Sequence, residues 1–282
     1  MKRILPVLSL LFVLAPAVAA AATPSYSTGA VGSYMANCGV GPDLPAAVPE
    51  AANIRCWYSG GAGCGSTVAN PFPLVTSWND GDVWGSDFRD GIGTADTDSS
   101  GGSDLPAIYF YAGHGRCKNP PTATSRDFII VCGNSRKTDV TDIGAFSRWG
   151  SASGGHLQFA FIDASCPMDL VSITNNWPQT FQGLHVATGH SGDQGHDTLD
   201  SASRGGQFAA YTSGNNALLP QLSVGDAWMA AGLIDVDPGV CAVVIAVGAD
   251  AAEAVDRRDN ERVTDGRGDP VSNWCAWRWV CS

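Results

Sequence analysis

The chain has 282 residues, and its 27 acidic and 16 basic side chains give a formal net charge of −11. Such an acidic surface repels nucleic-acid phosphates, so the composition argues against a nucleic-acid partner and favours simple solubility. Beyond residue 22, no stretch is apolar over the roughly 18 residues that a membrane-spanning helix needs, so no membrane partner is expected for the mature chain.

Residues 1–22 have the pattern of an export signal. Lys2 and Arg3 supply the positive start, residues 4–14 form a short apolar core, and small residues at 17–22 offer cleavage sites. We therefore predict a secreted or periplasmic protein whose signal is cleaved between Ala19 and Ala22.

The remaining chain alternates predicted strands and helices. Residues 23–75 are rich in Gly, Ala, Ser and Pro, which predicts a loop-rich amino-terminal segment pinned by a disulfide. Apolar runs predict strands at 106–112, 127–132, 157–162, 183–188 and 240–247. Helices are predicted at 139–149, 167–176, 204–213 and 224–233. This order predicts an α/β domain over 76–250, with a mainly parallel sheet flanked by helices, and a Trp/Cys-rich tail over 251–282 packed on it.

The chain has nine cysteines, an odd number, so at least one thiol lacks an intramolecular partner. Disulfides persist in the oxidising compartment that an exported chain meets. Cys56 and Cys64 flank a glycine-rich loop, which favours their pairing. The other expected pairs are Cys275–Cys281, Cys117–Cys132 and Cys38–Cys241, and they leave Cys166 unpaired.

A histidine and a cysteine each follow a strand of the buried type. Residues 107–112 lead into His114 and Gly115, and residues 157–162 lead through Asp163 to Cys166. Because the carboxyl ends of parallel strands meet at one edge of a sheet, we expect His114 and Cys166 to share a cleft there. A helix starting at Pro167 would lower the pKa of the Cys166 thiol, as a nucleophile requires.

These segments resemble the caspase, legumain and gingipain clan of cysteine peptidases, in which one strand ends in His-Gly and the next in a small residue followed by Cys. His114-Gly115 and Ser165-Cys166 match those positions. The sequence is more similar still to a set of secreted bacterial proteins related to that clan. The matching pieces are residues 84–88, 111–115, 164–166, 177, 181–185 and 227–228.

The resemblance implies a caspase-like three-layer sandwich and an exported cysteine endopeptidase that cuts a protein or peptide substrate through Cys166 and His114, without a required cofactor. Backbone N–H groups of Gly115 and Cys166 would hold the oxyanion. Asp163 and His185 are supporting candidates for charge or orientation near the cleft. Residues that shape the clan's specificity pocket do not transfer, because Ala164 and Pro167 depart from its pattern.

Two other interpretations stay open. A catalytically inactive secreted binding protein on the same fold would keep the sheet and the disulfides, and a bridge at Cys166 would favour it. A metal-dependent hydrolase would use His185, His190 and His196, although their spacing matches no helical zinc signature. The sequence does not predict the oligomeric state.

An acidic loop before the first predicted strand partly matches a calcium-binding pattern. Asp96, Asp98, Ser100 and Asp104 stand at positions that supply oxygen ligands in such loops. The Glu expected at the last position is replaced by Ala107. A structural calcium site is therefore one interpretation of this loop, and a solvated acidic loop is the other.

Overall fold

The computed structural model describes residues 23–34, 41–64, 66, 71–89, 102–117, 128–130, 140–142, 147–193, 202–271 and 274–282. The strands of the described residues are β1 (Tyr26–Ala30), β2 (Leu74–Asn79), β3 (Ile108–Ala112), β4 (Gly115–Arg116), β5 (Phe128–Ile130), β6 (Val140–Asp142), β7 (Phe159–Asp163), β8 (Val186–Ser191), β9 (Cys241–Gly248) and β10 (Trp274–Cys281). The α-helices are α1 (Ala47–Ser59), α2 (Leu170–Asn175), α3 (Trp177–Thr180), α4 (Ala202–Ser213), α5 (Val224–Ala231) and α6 (Ala251–Asn260).

Seven strands form one mixed sheet in the order β10-β9-β8-β7-β3-β1-β2. Five neighbouring strands, β2, β1, β3, β7 and β8, run parallel, whereas β9 pairs antiparallel with β8 and β10 pairs antiparallel with β9. A separate sheet of three short strands has the order β4-β5-β6. The predicted α/β class with a mainly parallel sheet flanked by helices is confirmed.

Apolar layers cover both faces of the main sheet, which explains why its central strands are apolar on both sides. On one face, Phe110 and Phe161 pack with Phe208 of α4 and Trp228 of α5. On the other face, Tyr111 and Ile162 belong to a second layer that includes Trp149 and Trp177. All of these side chains are buried, so the sheet is the rigid frame on which the connecting loops are held.

The segment predicted as loop-rich supplies an internal strand and a helix. β1 lies between β2 and β3 in the main sheet, and α1 packs against α4. The hydroxyls of Ser27 and Thr28 on β1 are buried but bonded, since Ser27 Oγ accepts the Thr76 N–H at 3.1 Å and Thr28 Oγ1 accepts Arg55 Nη1–H at 3.1 Å. Strand β1 is therefore polar in sequence and yet part of the core.

Two other predicted elements differ from the structure. The helix predicted at 139–149 is wrong, because residues 140–142 form β6 and residues 147–150 are not helical. The tail over 251–282 does more than pack on the domain, because it forms α6 and the edge strand β10. Within the described part of the chain, no helix is long and apolar enough to cross a membrane. Residues 1–22, the predicted export signal, lie outside the described residues.

Three disulfides join described cysteines, and only one of them matches a predicted pair. Cys56–Cys64 is confirmed. The pair Cys275–Cys281 is wrong, because Cys281 bonds to Cys241, its direct cross-strand neighbour on β9. That bond also rules out Cys38–Cys241, although Cys38 itself lies outside the described residues. Disulfides of this number are consistent with an extracellular or periplasmic protein.

Candidate functional site

The carboxyl ends of β3 and β7 bring the two predicted site segments together. The strands are parallel neighbours in which Ala112 pairs with Asp163, and the Gly113 N–H donates to the Asp163 carbonyl at 3.1 Å. His114 and Cys166 therefore leave the sheet at the same edge. We call residues 164–168, which connect β7 to α2, the elbow.

Cys166 adopts a backbone conformation that is rare for a residue with a side chain. Its φ is +62°, in the left-handed region, and its N–H donates to the Gly192 carbonyl at 2.9 Å. Two residues later, the Met168 N–H donates to the His190 carbonyl at 3.0 Å. Neighbouring backbone thus holds Cys166 in a strained conformation, which is a feature typical of functional sites.

These contacts correct two expectations about Cys166. The N–H of Cys166 already donates to Gly192, so the predicted oxyanion role of this group is wrong in this conformation. Helix α2 begins only at Leu170, and its N-cap Asp169 accepts the Ser172 N–H at 2.9 Å. The sulfur is therefore not placed at a helix start as predicted, because residues 167–169 lie between Cys166 and the first residue of α2.

The expectation that Cys166 is unbridged is wrong, because Cys166 is bonded to Cys117. Gly115 packs so closely on the elbow that a Cβ on it would collide with the backbone of Ser165. This close approach carries the chain from Gly115 to Cys117 across the elbow, which brings the two sulfurs together. The predicted pair Cys117–Cys132 is thereby also wrong, although Cys132 itself lies outside the described residues. Cys166 is only 5% exposed, whereas Cys117 lies at the surface.

The His114 side chain is oriented by residues that the sequence did not indicate. Its Nε2 lies 2.9 Å from the Pro42 carbonyl, its ring packs against Tyr34 with centroids 4.6 Å apart, and its backbone N–H donates to the Tyr34 hydroxyl. A carbonyl oxygen only accepts hydrogen bonds, so Nε2 must carry the proton. In the neutral ring, Nδ1 is then the nitrogen that can accept one. Tyr34 and Pro42 lie far from His114 in sequence, and no local pattern marked them.

Beneath the elbow lies a group of buried ionisable side chains, which we call the elbow cluster: Glu50, Asp163, His190 and Arg204. All four are fully buried. Arg204 Nη1 lies 2.8 and 2.9 Å from the two oxygens of Asp163, and His190 Nδ1 lies 3.2 Å from one of them. His190 Nε2 donates to the Gly232 carbonyl at 2.6 Å. Asp163, a predicted supporting residue, thus anchors the end of β7 to helix α4.

Burial determines the charge states of the elbow cluster. Burial and then the nearby Asp163 charge raise the pKa of Glu50 well above its ordinary value, so Glu50 is protonated. Burial also lowers the pKa of His190, despite the opposing effect of Asp163. Burial thus disfavours the charged forms of Glu50 and His190, while the guanidinium of Arg204 pairs with the carboxylate of Asp163.

His185 does not lie in the cleft, which corrects its predicted position. It precedes β8 at the amino end of the sheet, next to Phe159, which begins β7. His190 lies at the other end of β8, about 16 Å away at the rise of an extended strand. The two described histidines of the suggested zinc set therefore cannot share one metal ion. His196 lies outside the described residues.

A second group of ionisable side chains, buried except for the half-buried Asp269, surrounds His185, and we call it the amino-end cluster: His185, Arg257, Glu261 and Asp269. His185 Nδ1 lies 2.7 Å from Glu261 and Nε2 lies 2.9 Å from Asp269. Arg257 Nη1 is 2.9 Å from the same Nδ1, and we assign both nitrogens as donors to Glu261 because a guanidinium cannot accept. Burial opposes protonation, but the hydrogen bonds to Asp269 and Glu261 prevail and raise the pKa of His185.

Of the four residues of the suggested calcium loop, Asp104 is the one that lies within the described part of the chain. Asp104 is buried, and its carboxylate accepts the N–H groups of Gly150 at 2.9 Å and of Leu157 at 3.0 Å. Asp104 thus shapes the loop before β7. Asp96, Asp98 and Ser100 lie outside the described residues, and no cluster of three or more potential metal ligands occurs among those that are described.

A family model described as a domain of unknown function (DUF6345) matches residues 72–279. This range includes His114, Cys117 and Cys166 with most of the elbow cluster, whereas β1, α1 and Pro42 precede it. No curated protein and no solved structure matched the chain.

Proposed function

The chain belongs to the DUF6345 family, and we propose that it is an exported cysteine endopeptidase on a caspase-like frame whose nucleophile, Cys166, is kept latent by the disulfide to Cys117. A dithiol reductant opens that bond, and the freed thiol then cuts peptide bonds with His114 as the base. The resemblance to the caspase, legumain and gingipain clan supports both the frame and the chemistry.

One observation carries the proposal: an imidazole oriented by a third group and a cysteine in a strained conformation leave the same edge of the sheet. The Pro42 carbonyl fixes the tautomer of His114, and Cys166 is held at a φ of +62° on the elbow. A base oriented by a third group beside a nucleophile is the general arrangement of covalent hydrolases. A purely structural disulfide would need neither feature.

Activation is a thiol–disulfide exchange. The thiolate of the reductant attacks the exposed sulfur of Cys117, because Cys166 is buried. The bond between Cys117 and Cys166 breaks, and Cys166 leaves as a thiolate. The second thiol of the reductant then resolves the mixed disulfide, so the reductant ends as a disulfide and both cysteines end reduced.

Hydrolysis then proceeds in two stages. His114 Nδ1 takes the proton of Cys166, and the thiolate attacks the peptide carbonyl. His114 returns the proton to the leaving amine, which leaves an acyl-enzyme that water cleaves with the same imidazole as base. The Gly115 N–H remains the candidate oxyanion donor, since the Cys166 N–H donates to Gly192.

The alternative is a non-catalytic binding protein, and the disulfide itself favours it. A sulfur that stays bridged throughout the life of the protein cannot attack a substrate. In that case the bond between Cys117 and Cys166 simply fastens the segment after His114 to the elbow. The two candidates differ in what happens when the bond is removed.

Replacement of Cys117 by Ser tests the proposal directly. We expect the wild-type protein to hydrolyse a fluorogenic peptide library only after treatment with dithiothreitol, and Cys117→Ser to do so without it. The double variant Cys117→Ser/Cys166→Ala should be inactive in both conditions. In the Cys117→Ser background, His114→Gln should lower kcat about 100-fold or more, because it removes the base.

The matched control is the double variant Cys56→Ser/Cys64→Ser, which removes a disulfide away from the elbow. It should keep the requirement for reductant. If Cys117→Ser folds, as judged by circular dichroism, and cuts no peptide in the library, the binding protein is the better description.

A further inference from the structure

An apolar pocket lies beside the elbow, on the face of the sheet opposite the elbow cluster. Its walls include Met168 of the elbow, Leu170 and Ile173 of α2, Val243 of β9 and Trp279 of β10. Its volume is about 90 Å³, well below the range of small-molecule sites, so it suits a single side chain rather than a cofactor.

The pocket and the elbow form one rigid unit. Met168 is tied to β8 through its N–H bond to the His190 carbonyl, and the next residue of β8, Ser191, lines the pocket. The backbone bond from Cys166 to Gly192 lies directly beyond Ser191. The pocket therefore begins within two residues of Cys166 on both of these chain segments.

The outer wall of the pocket is fixed in the absence of any ligand. Val243 and Trp279 are direct cross-strand partners on β9 and β10, and the disulfide between Cys241 and Cys281 closes the same end of the strand pair. Cys241 also lines the pocket. A preformed cavity binds without a reorganisation cost, which favours it as a recognition site.

The chemistry of the lining selects the occupant. None of the lining side chains is charged, and Ser191 is the polar one among them. At the rim, Leu170 is 58% exposed and Trp279 is 51% exposed, although both are large and apolar. Burying a charged group here would leave it without a partner, whereas an aliphatic or aromatic side chain would remove apolar surface from water.

We infer that this pocket binds an apolar side chain of the peptide held at the elbow, so that the protein selects peptides with an aliphatic or aromatic residue next to the bond at Cys166. The statement that the bond is cut rests on the proposed function. The statement that the pocket recognises an apolar side chain does not, so the two can be tested apart.

The binding test uses the disulfide-intact protein and needs no turnover. The probes are the N-acetyl amides of leucine, phenylalanine, lysine and aspartate. Binding is followed by ¹⁹F NMR of 5-fluorotryptophan-labelled protein, with the Trp279 signal assigned from Trp279→Phe. The leucine and phenylalanine amides should shift this signal with saturation, whereas the lysine and aspartate amides should not.

A charge at the rim provides the variant and its control. Leu170→Glu places a carboxylate at an exposed position of the pocket, and we expect it to weaken binding of the leucine amide at least about tenfold. Leu218→Glu is the matched control, because Leu218 is 91% exposed and does not line the pocket. It should leave the affinity unchanged.

The outcomes separate the pocket from the hydrolase. Equal shifts with all four amides, or none with any, would overturn the pocket even if Cys117→Ser cuts peptides. Binding limited to the apolar amides supports the pocket, and in an active Cys117→Ser background Leu170→Glu should then lower kcat/KM for apolar substrates by a similar factor. Apolar binding by a protein that cuts nothing would retain the pocket as the recognition site of a binding protein and overturn the hydrolase.

Discussion

The two ends of the parallel strands each hold a buried histidine beside a carboxylate, yet the two sites differ in charge. In the elbow cluster, His190 faces Asp163, which Arg204 already neutralises, and the pKa of His190 is lowered. In the amino-end cluster, His185 faces two carboxylates, Glu261 and Asp269, and its pKa is raised.

Burial lowers the pKa of both histidines, and the nearby charges and hydrogen bonds decide whether the net shift is downward or upward. Both imidazoles are fully buried, so the cost of desolvation is similar at the two sites. At His190, burial prevails, because Arg204 already pairs with Asp163 and weakens the effect of that carboxylate on the pKa of the histidine. Where Glu253 and Glu261 both bond to the guanidinium of Arg257, and Asp269 bonds to the imidazole, the histidine supplies further positive charge.

The largest expected effect comes from Asp163→Asn. It leaves the guanidinium of Arg204 buried without its carboxylate, which should lower the free energy of unfolding by about 3–5 kcal/mol. At the other end, Asp269→Asn removes a carboxylate whose side chain is 32% exposed. That change should cost only about 1 kcal/mol, because water solvates the partners that remain. Urea denaturation of both variants measures the contrast, and equal losses would contradict it.

A fall in pH should change the contributions of the two histidines to the free energy of unfolding in opposite directions. The pKa of His185 is raised on folding, so its stabilisation is complete below about pH 6.5 and is lost as the pH rises through the folded pKa. The pKa of His190 is lowered on folding, so its contribution is present above about pH 6.5 and is lost as the pH falls below that value. Each site changes stability by at most about 1.4 kcal/mol per pH unit.

The variants His185→Gln and His190→Gln separate these two contributions. His185→Gln should remove part of the loss of stability on the alkaline side, and His190→Gln should remove part of the loss on the acid side. Thermal unfolding between pH 5 and pH 9 supplies both profiles. If the two variants altered the same side of the profile, the assigned charge states would be wrong.

The smallest expected effect comes from Glu50→Gln. Glu50 is protonated in the folded protein, and a glutamine amide can donate to Asp163 in its place. At pH 5 the variant should therefore match the wild type within about 1 kcal/mol. The wild type becomes relatively less stable as the pH rises above about 4.5, because only its unfolded state releases the proton, and the variant should lack this decline. A large loss at pH 5 would indicate that Glu50 is ionised.

The strands that could be predicted are those made of apolar side chains, which are typical of a buried strand. The run at 107–112 is apolar throughout and the run at 157–162 is apolar except for Gln158, and each strand was predicted within two residues of its observed bounds. Strand β1 was missed because its Ser, Thr and Gly resemble a loop, and its burial depends on hydroxyl partners in distant elements. Helix α1 was missed because its N-cap, Ala46, has no side-chain hydrogen bond.

The candidate site was only partly predictable for a related reason. His114 and Cys166 leave the sheet at the same edge because their strands are parallel neighbours, and the alternation of strands and helices in the sequence indicated this parallel order. The partner of Cys166 could not be predicted, since it depends on the close packing of Gly115 on Ser165. His185 was assigned to the cleft in place of His190, because the strand predicted at 183–188 begins and ends three residues before the observed strand. A strand over 186–191 places His190, rather than His185, at the carboxyl edge.

Strand β1 comes from the start of the chain yet fills an interior place in the sheet, between β2 and β3. The range matched by the family begins at residue 72 and so excludes this strand, together with α1 and Pro42. A recombinant fragment cut to that range would lose the hydrogen bonds that join β2 to the rest of the sheet, as well as the carbonyl that orients His114. Experiments on the site around His114 and Cys166 therefore need expression boundaries that retain the chain from about residue 23 onward.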